Sequence, residues 1–206
     1  MHLAILGACG HGKVVADAAL ASSWQAVTFF DDAWPDLTEN GPWPVEGDTA
    51  ALLERLGDFD GVVVGIGNNQ IRADKQTQLL DAGASLVSVV HPTSVISSYA
   101  SIGPGCVLFA NSVVNAGASI GSGAIVNTGA VVEHDCQVGD FAHISPNAVL
   151  AGGVSVQQRA WVGACASVKQ LLTIGQASIV GMGAVVVKDV PAGTTVVGSP
   201  AKAIKT

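Results

Sequence analysis

Charge is scarce in this chain. Only 12% of its 206 residues are charged, and the 16 acids outnumber the 9 bases, giving a net charge of −7 at pH 7. That balance argues against nonspecific nucleic-acid binding, which needs a basic surface. Aromatics make up 5%, which suits a narrow interior. The four cysteines, Cys9, Cys106, Cys136 and Cys165, form no CxxC pair, so neither a redox motif nor a cysteine zinc site is signalled. No apolar run is long enough to span a membrane. The chain opens directly on a short strand and a glycine turn rather than on a secretory leader. These absences lead us to expect a cytoplasmic protein.

What is present is a repeat. In steps of six, the positions from Ile96 through Ile102, Leu108 and Val114 to Val186 are aliphatic at all 16 steps. Two residues before most of them stands a small residue, such as Cys106, Ala118, Ala124, Ala130 or Cys136. At every third step the aliphatic is followed by glycine (Gly103, Gly121, Gly139, Gly175), with Gln157 the lapse. A period of six fits neither a helix nor an alternating strand. It fits a short flat strand plus a corner, three of which close one coil of a solenoid. The expected fold for residues 91–206 is all-β, a parallel β-helix of about five coils. Its aliphatics stack inward, and glycines supply turns of unusual dihedral angle.

Residues 1–90 follow another rule. Strands are expected at His2–Leu6, Ala26–Phe30 and within 58–66, and helices at Lys13–Ala21, Thr49–Leu56 and Asn68–Ala82. This alternation predicts a small α/β, Rossmann-like domain with a parallel sheet. The prolines between Trp34 and Pro44 read as an irregular loop. The turn Gly7-Ala8-Cys9-Gly10-His11-Gly12 is spaced G-x-x-G-x-G, not as the dinucleotide fingerprint. A strand–turn–helix with glycines still presents N–H groups to an anion. Asp31 and Asp32 end the second strand, where a carboxylate can bind a ribose or base edge or simply cap a loop. Gly65-Ile66-Gly67-Asn68-Asn69 ends the third strand at the same sheet edge.

The second constellation lies within the repeat: Asn127-Thr128-Gly129, then Glu133-His134-Asp135, then His143. A histidine beside a carboxylate can be held in one tautomer with raised basicity and act as a general base. A zinc site of His134, Asp135 and His143 is the rival chemistry, and a solvated turn is the uneventful alternative.

Taken together, the glycine turn with His11, Asp31-Asp32, Gly67-Asn68-Asn69 with Arg72, and Asn127-Thr128 with Glu133-His134-Asp135-Cys136 resemble one family. It is the sialic-acid O-acetyltransferase-like sugar acyltransferases. The branch it resembles most includes the UDP-4-amino-sugar N-acetyltransferases of bacillosamine synthesis and the GDP-perosamine N-acetyltransferases. The terminus Lys188-Asp189-Val190-Pro191-Ala192-Gly193 is similar to that of hexapeptide acyltransferases at large. The resemblance implies a left-handed coil, a homotrimer with sites between subunits, and acetyl-CoA as co-substrate without a metal. It implies His134 as general base with Asp135 tuning it. It also implies that Cys9, Gly10, His11, Asp31, Asp32, Gly67 and Asn127 contact a nucleotide sugar. Acetyl-CoA contacts are implied for His143, Gly152, Ala164, Gly181 and Met182. The acceptor it implies is a nucleotide-linked, UDP-type amino-dideoxy sugar acetylated on its 4-amino group by direct attack. GDP-perosamine or sialic acid O-acetylation are the competing acceptors, and a non-catalytic sugar-nucleotide-binding β-helix is the competing class.

Overall fold

The computed structural model describes residues 1–204. The chain divides into two compact units, Met1–Pro92 and Thr93–Thr206.

The first unit is built on β1 (His2–Leu6), β2 (Ala26–Phe30), β3 (Glu39–Asn40), β4 (Trp43–Pro44) and β5 (Gly61–Val64), with helices α1 (Gly10–Ala21), α2 (Thr49–Glu54) and α3 (Asn69–Asp81). Strands β2, β1 and β5 form a parallel sheet in that order. The central strand β1 is buried on both faces, which is why Leu3 to Leu6 is an unbroken apolar run. Leu6, Phe30, Leu52, Val64 and Leu79 share one core.

Two expectations for this unit are corrected. Helix α1 begins at Gly10, so the glycine motif is half turn and half first helical turn. The reason is close packing: a β-carbon on Gly12 would stand 2.2 Å from the carbonyl oxygen of Gly7, so the helix start sits directly on the preceding turn. The proline segment is not wholly irregular, because β3 and β4 pair antiparallel.

From Val95 to Val186 the second unit is a solenoid of two-residue strands, each ending on one of the repeat aliphatics. One sheet stacks six strands from Val95–Ile96 to Val185–Val186, and a second stacks five from Ser101–Ile102 to Thr173–Ile174. Within this unit the third runs from Val107–Leu108 through Ile179–Val180 to Thr195–Val197, all parallel, and ends on antiparallel Lys202–Ala203. The aliphatics from Leu108 to Val186 are all at most 3% exposed. Burial of each contributes about 1.5–3 kcal/mol. The small residues two positions earlier also point inward: Cys106, Ala124, Ala130, Cys136, Ala142 and Ala148 are fully buried.

The solenoid has about six turns rather than five. The ladder continues where the count of six stops. Val190 bridges Ile174 and Val196 pairs with Val180, a separation of 16 residues in place of 18. The deletion of two residues hides this last partial coil from the periodicity.

The glycines also divide differently from expectation. Those that follow an aliphatic are needed for close approach: a β-carbon on Gly103, Gly121, Gly139 or Gly175 would lie 2.4–2.8 Å from a backbone nitrogen of the next coil. The left-handed dihedral angle belongs to the residue three beyond each aliphatic from Ile102 to Val180. All 14 such positions from Gly105 to Gly183 have positive φ.

Candidate active site

His134 and Asp135 occupy the corner after strand Val131–Val132. Asp135 is one of the left-handed residues, with φ 61°, a conformation that Asp tolerates better than most side chains. That bend turns its carboxylate back: Asp135 Oδ2 lies 2.8 Å from His134 Nδ1. The pair is supported from the preceding coil. Glu133 Oε2 accepts from Asn115 Nδ2 at 2.9 Å and more weakly from the His134 N–H. A β-carbon on Gly117 would fall 2.6 Å from Asp135 Oδ1. The hydrogen bond that His134 Nδ1–H donates to Asp135 raises the His134 pKa above its ordinary value, helped by the nearby charges of Asp135 and Glu133. With Nδ1 held by Asp135, Nε2 is the nitrogen available to a substrate.

Nε2 faces the next coil, where a β-carbon on Gly152 would stand 2.5 Å away. His134, Asp135, Gly152, Gly153, Gln170 and Leu171 line a cavity of about 260 Å³. The columns that run along this corner are Ala116–His134–Gly152–Gln170 and Tyr99–Gly117–Asp135–Gly153–Leu171, each in steps of 18. Small residues therefore flank the His–Asp pair on both sides along the axis. The sequence reading singled out the pair but not this notch. Its signal was the composition of one corner column, visible only once the corner position within the hexad is known.

His143 and Asn127 meet elsewhere, on the third sheet. Asn127 Nδ2 donates to His143 Nε2 at 3.0 Å. The imidazole is buried and stacks on Trp161 with centroids 5.8 Å apart and planes 3° apart. Trp161 Nε1 donates to Ser145 Oγ. Asn127 and His143, expected to serve different substrates, are thus direct partners. The zinc alternative is not assembled: His134 Nδ1 is bonded to Asp135 and His143 Nε2 to Asn127. Among the described residues no cluster of three metal-ligand side chains forms.

Ala164, Gly181 and Met182 lie at a third place, the corner leading from the third sheet to the valine-bearing sheet. Met182 is exposed. Within one chain this corner and the His134 corner sit at opposite strand ends of the same sheet, Ser167–Val168 and Val185–Val186 following the first, Val131–Val132 preceding the second. The outward residues of that sheet are Val95, Val113, Val131, Val149, Ser167 and Val185, and none of the valines is buried.

In the first unit, Leu6, Gly7, Cys9, Asp31, Asp32, Ile66, Ile71 and Lys75 border a cavity of about 270 Å³. It opens at the carboxyl ends of β1, β2 and β5, where ligands bind in open parallel sheets. Both aspartates already have protein partners. Asp31 accepts from the Ala8 and Ala33 N–H groups at 2.7 and 2.9 Å. Asp32 accepts from the Thr49 N–H at 3.0 Å and pairs with Lys75 Nζ at 2.5 Å. Cys9 lines the cavity, whereas Gly10, His11 and Gly67 stand outside its lining. Burial, assisted by the Arg72 charge, lowers the His11 pKa to about 4, so the ring is neutral at pH 7. Arg72 is 1% exposed and donates to the carbonyls of Ile66 and Gly67 and to Asn69 Oδ1 at 2.9–3.1 Å, fixing the loop. Lys75 and the clamp role of Arg72 were not anticipated.

Residues 2–79 match the family described as PglD N-terminal domain, and residues 117–152 match the bacterial transferase hexapeptide (six repeats) family. The hexapeptide match makes the solenoid a left-handed β-helix. PerB from Caulobacter crescentus, solved in complex with CoA and GDP-perosamine, is 39% identical over 100% of this chain and 98% of its own, with a TM-score of 0.94. This chain belongs to the bacillosamine and perosamine N-acetyltransferase family. Another member of this family, the acetyltransferase domain of PglB from Neisseria gonorrhoeae in complex with acetyl coenzyme A, is 39% identical over 98% of both chains, with a TM-score of 0.93. UDP-N-acetylbacillosamine N-acetyltransferase of Bacillus subtilis is 37% identical over 53% of this chain and 51% of that protein. The chain spans between about a quarter and a half of the first curated relatives it matches. Among the described residues no helix is long and apolar enough to cross a membrane.

Proposed function

We propose that this protein transfers the acetyl group of acetyl-CoA to the 4-amino group of a nucleotide-linked amino-dideoxy sugar, with His134 as general base. The observation that carries this reading is the His134–Asp135 pair, 2.8 Å apart, with Nε2 turned to a cavity floored by glycine. The sugar amine attacks the thioester carbon, forming the C–N bond. His134 Nε2 takes the proton that the nitrogen must lose, while Asp135 stabilises the imidazolium through Nδ1. Collapse of the tetrahedral intermediate breaks the C–S bond and releases CoA. A backbone N–H at Gly152 is our choice for the oxyanion donor. Attack is direct rather than through an acyl-cysteine: Cys136, next in sequence, is buried, and burial raises its thiol pKa, which disfavours the nucleophilic thiolate.

The nucleotide occupies the cavity at the carboxyl edge of the first sheet, with Cys9, Asp31 and Asp32 at its wall and Gly10, His11 and Gly67 beside it. We favour a UDP-linked sugar. A GDP-linked sugar is the second reading, supported by the near-complete match to a protein solved with GDP-perosamine. The test is acetyl transfer by the purified protein to UDP- and GDP-linked 4-amino sugars and to sialic acid, in wild type and His134→Ala. We expect turnover of one nucleotide sugar and a fall in kcat of about 10²–10⁴-fold in the variant. Near-normal kcat in a folded variant would remove His134 from the mechanism. The buried, Asn127-bonded His143 is poorly placed to replace it.

The working unit is a homotrimer in this reading. The unburied valine ladder is an apolar face of the kind that marks an interface. The His134 corner and the Ala164–Met182 corner flank that face, so acetyl-CoA reaches both only when a second copy packs along it. Mixing His134→Ala chains with chains blocked at Ala164 should restore activity that neither homotrimer has. Failure to restore any at every mixing ratio would argue against a shared site.

A further inference from the structure

Leu171 breaks two rules at once. It is a large apolar side chain that is 79% exposed, and its backbone is held at φ 61°. A left-handed backbone is disfavoured for an ordinary L-residue, because its β-carbon crowds the following carbonyl oxygen. In its own corner column, the positions one, two and three coils earlier are Gly153, Asp135 and Gly117, residue types that accept this conformation. Phe141, the other large apolar residue with positive φ, is half-buried. Among the described residues, Leu171 alone combines a left-handed backbone with a large, exposed apolar side chain. The left-handed backbone is shared by every corner from Gly105 to Gly183, Cys165 and Ala177 included; the exposed apolar bulk beside the His134 cavity is what points to a functional constraint.

Its surroundings say what the constraint serves. Leu171 leans over Gly153, where an added β-carbon would meet Leu171 Cδ2 at 2.7 Å. It closes the cavity whose floor is Gly152 and Gly153 and whose other wall is His134 and Asp135. Adjacent coils lie about 4.8 Å apart. A carbonyl carbon placed for attack beside His134 Nε2, over Gly152, therefore has its alkyl substituent directed within reach of the leucine one coil further on.

We propose that Leu171 is the apolar wall of the acyl-group subsite and restricts the transferred group to acetyl. The inference rests on the acetyl-transfer reading and adds the residue that sets acyl length. The isobutyl side chain is the contact that an acyl group longer than acetyl would meet in this cavity. A one-methylene mismatch in an apolar pocket discriminates by about 10–200-fold.

The test compares acetyl-, propionyl- and butyryl-CoA on the full chain, in wild type, Leu171→Ala and Leu171→Gly. Glycine suits the left-handed corner, so the second variant guards against misfolding of the first. Calorimetric affinities are read first, then rates with a nucleotide amino sugar, with molecular mass monitored by light scattering. We expect the affinity for butyryl-CoA relative to acetyl-CoA to rise by about 10-fold or more in both variants at unchanged mass. An unchanged ratio overturns the wall and leaves acetyl transfer intact. Loss of the assembled mass assigns Leu171 to a subunit contact instead. A wild type that binds none of the three thioesters overturns the acetyl-transfer reading and the wall together.

Discussion

Gly152 is placed so that any β-carbon there would lie 2.5 Å from His134 Nε2 and 2.6 Å from Cε1. The glycine is thus the floor on which the imidazole rests. Gly152→Ala should swing His134 out of position while the aliphatic ladder stays intact. We expect kcat to drop by about 10-fold or more, approaching the effect of losing the base. The KM of the acceptor and the thermal midpoint should be nearly unchanged. Steady-state kinetics with a melting curve checks this, and a variant with full kcat would show that the imidazole tolerates the methyl.

Asp135→Asn isolates charge from conformation, because Asn also accepts a left-handed backbone. Asp135 raises the His134 pKa. A general base works when neutral, so the rate climbs as pH rises through that pKa. Removing the carboxylate lowers it, and the acid limb of kcat/KM should move to lower pH, with a reduced plateau. A limb that stays in place would mean that another group, such as the ammonium of the acceptor, sets it.

The glycine motif of the first unit separates fold from ligand. Gly12 packs against the Gly7 carbonyl, whereas a β-carbon on Gly10 would meet no atom within 4 Å. Gly12→Ala should therefore destabilise the protein by several degrees in Tm. Gly10→Val should leave Tm close to wild type and raise the KM for the sugar nucleotide, with acetyl-CoA binding preserved. Calorimetric titration with each substrate decides it, and loss of acetyl-CoA affinity in Gly10→Val would break the division of labour between the units.

His11 makes stability depend on pH. Its pKa is about 4 in the folded protein against the ordinary 6.5 of a free imidazole. The unfolded chain binds the extra proton between those values, so stability is full above about pH 6.5 and falls as the pH drops toward 4. The Tm difference between pH 7 and pH 5 should shrink in His11→Gln. An equal difference in both proteins would assign the acid sensitivity to other groups.

The coil could be read from the sequence because one aliphatic per six residues is what a two-residue strand and a fixed corner demand. What was hidden followed from departures of that rule. The ladder through Val190 and Val196 loses two residues, so counting stopped at Val186. Gly121 and Gly139 sit next to the aliphatics, yet they answer to the backbone of the next coil, a neighbour 18 residues away. The His134–Asp135 pair was legible as adjacent chemistry. Its setting was not, since Ala116, Gly117, Gly152, Gly153 and Leu171 adjoin it only through the axial stacking of corners. In the first unit, Asp31 and Asp32 stood out as carboxylates at a strand end. Their commitments to Ala8, Thr49 and Lys75 depend on loops whose closure no local pattern encodes.

The uniform left-handed corner has a bearing on how such a site is located along the rod. Ala116-Gly117, His134-Asp135 and Gly152-Gly153 present the same backbone at three heights, so nothing in the main chain singles out the middle one. The reacting position is a matter of side-chain occupancy on a periodic lattice, and transplanting His-Asp by one coil would need no new backbone shape. What would fail to move with it is the surrounding vacancy, since Gly117 and Gly153 are the emptied sites that give the pair room.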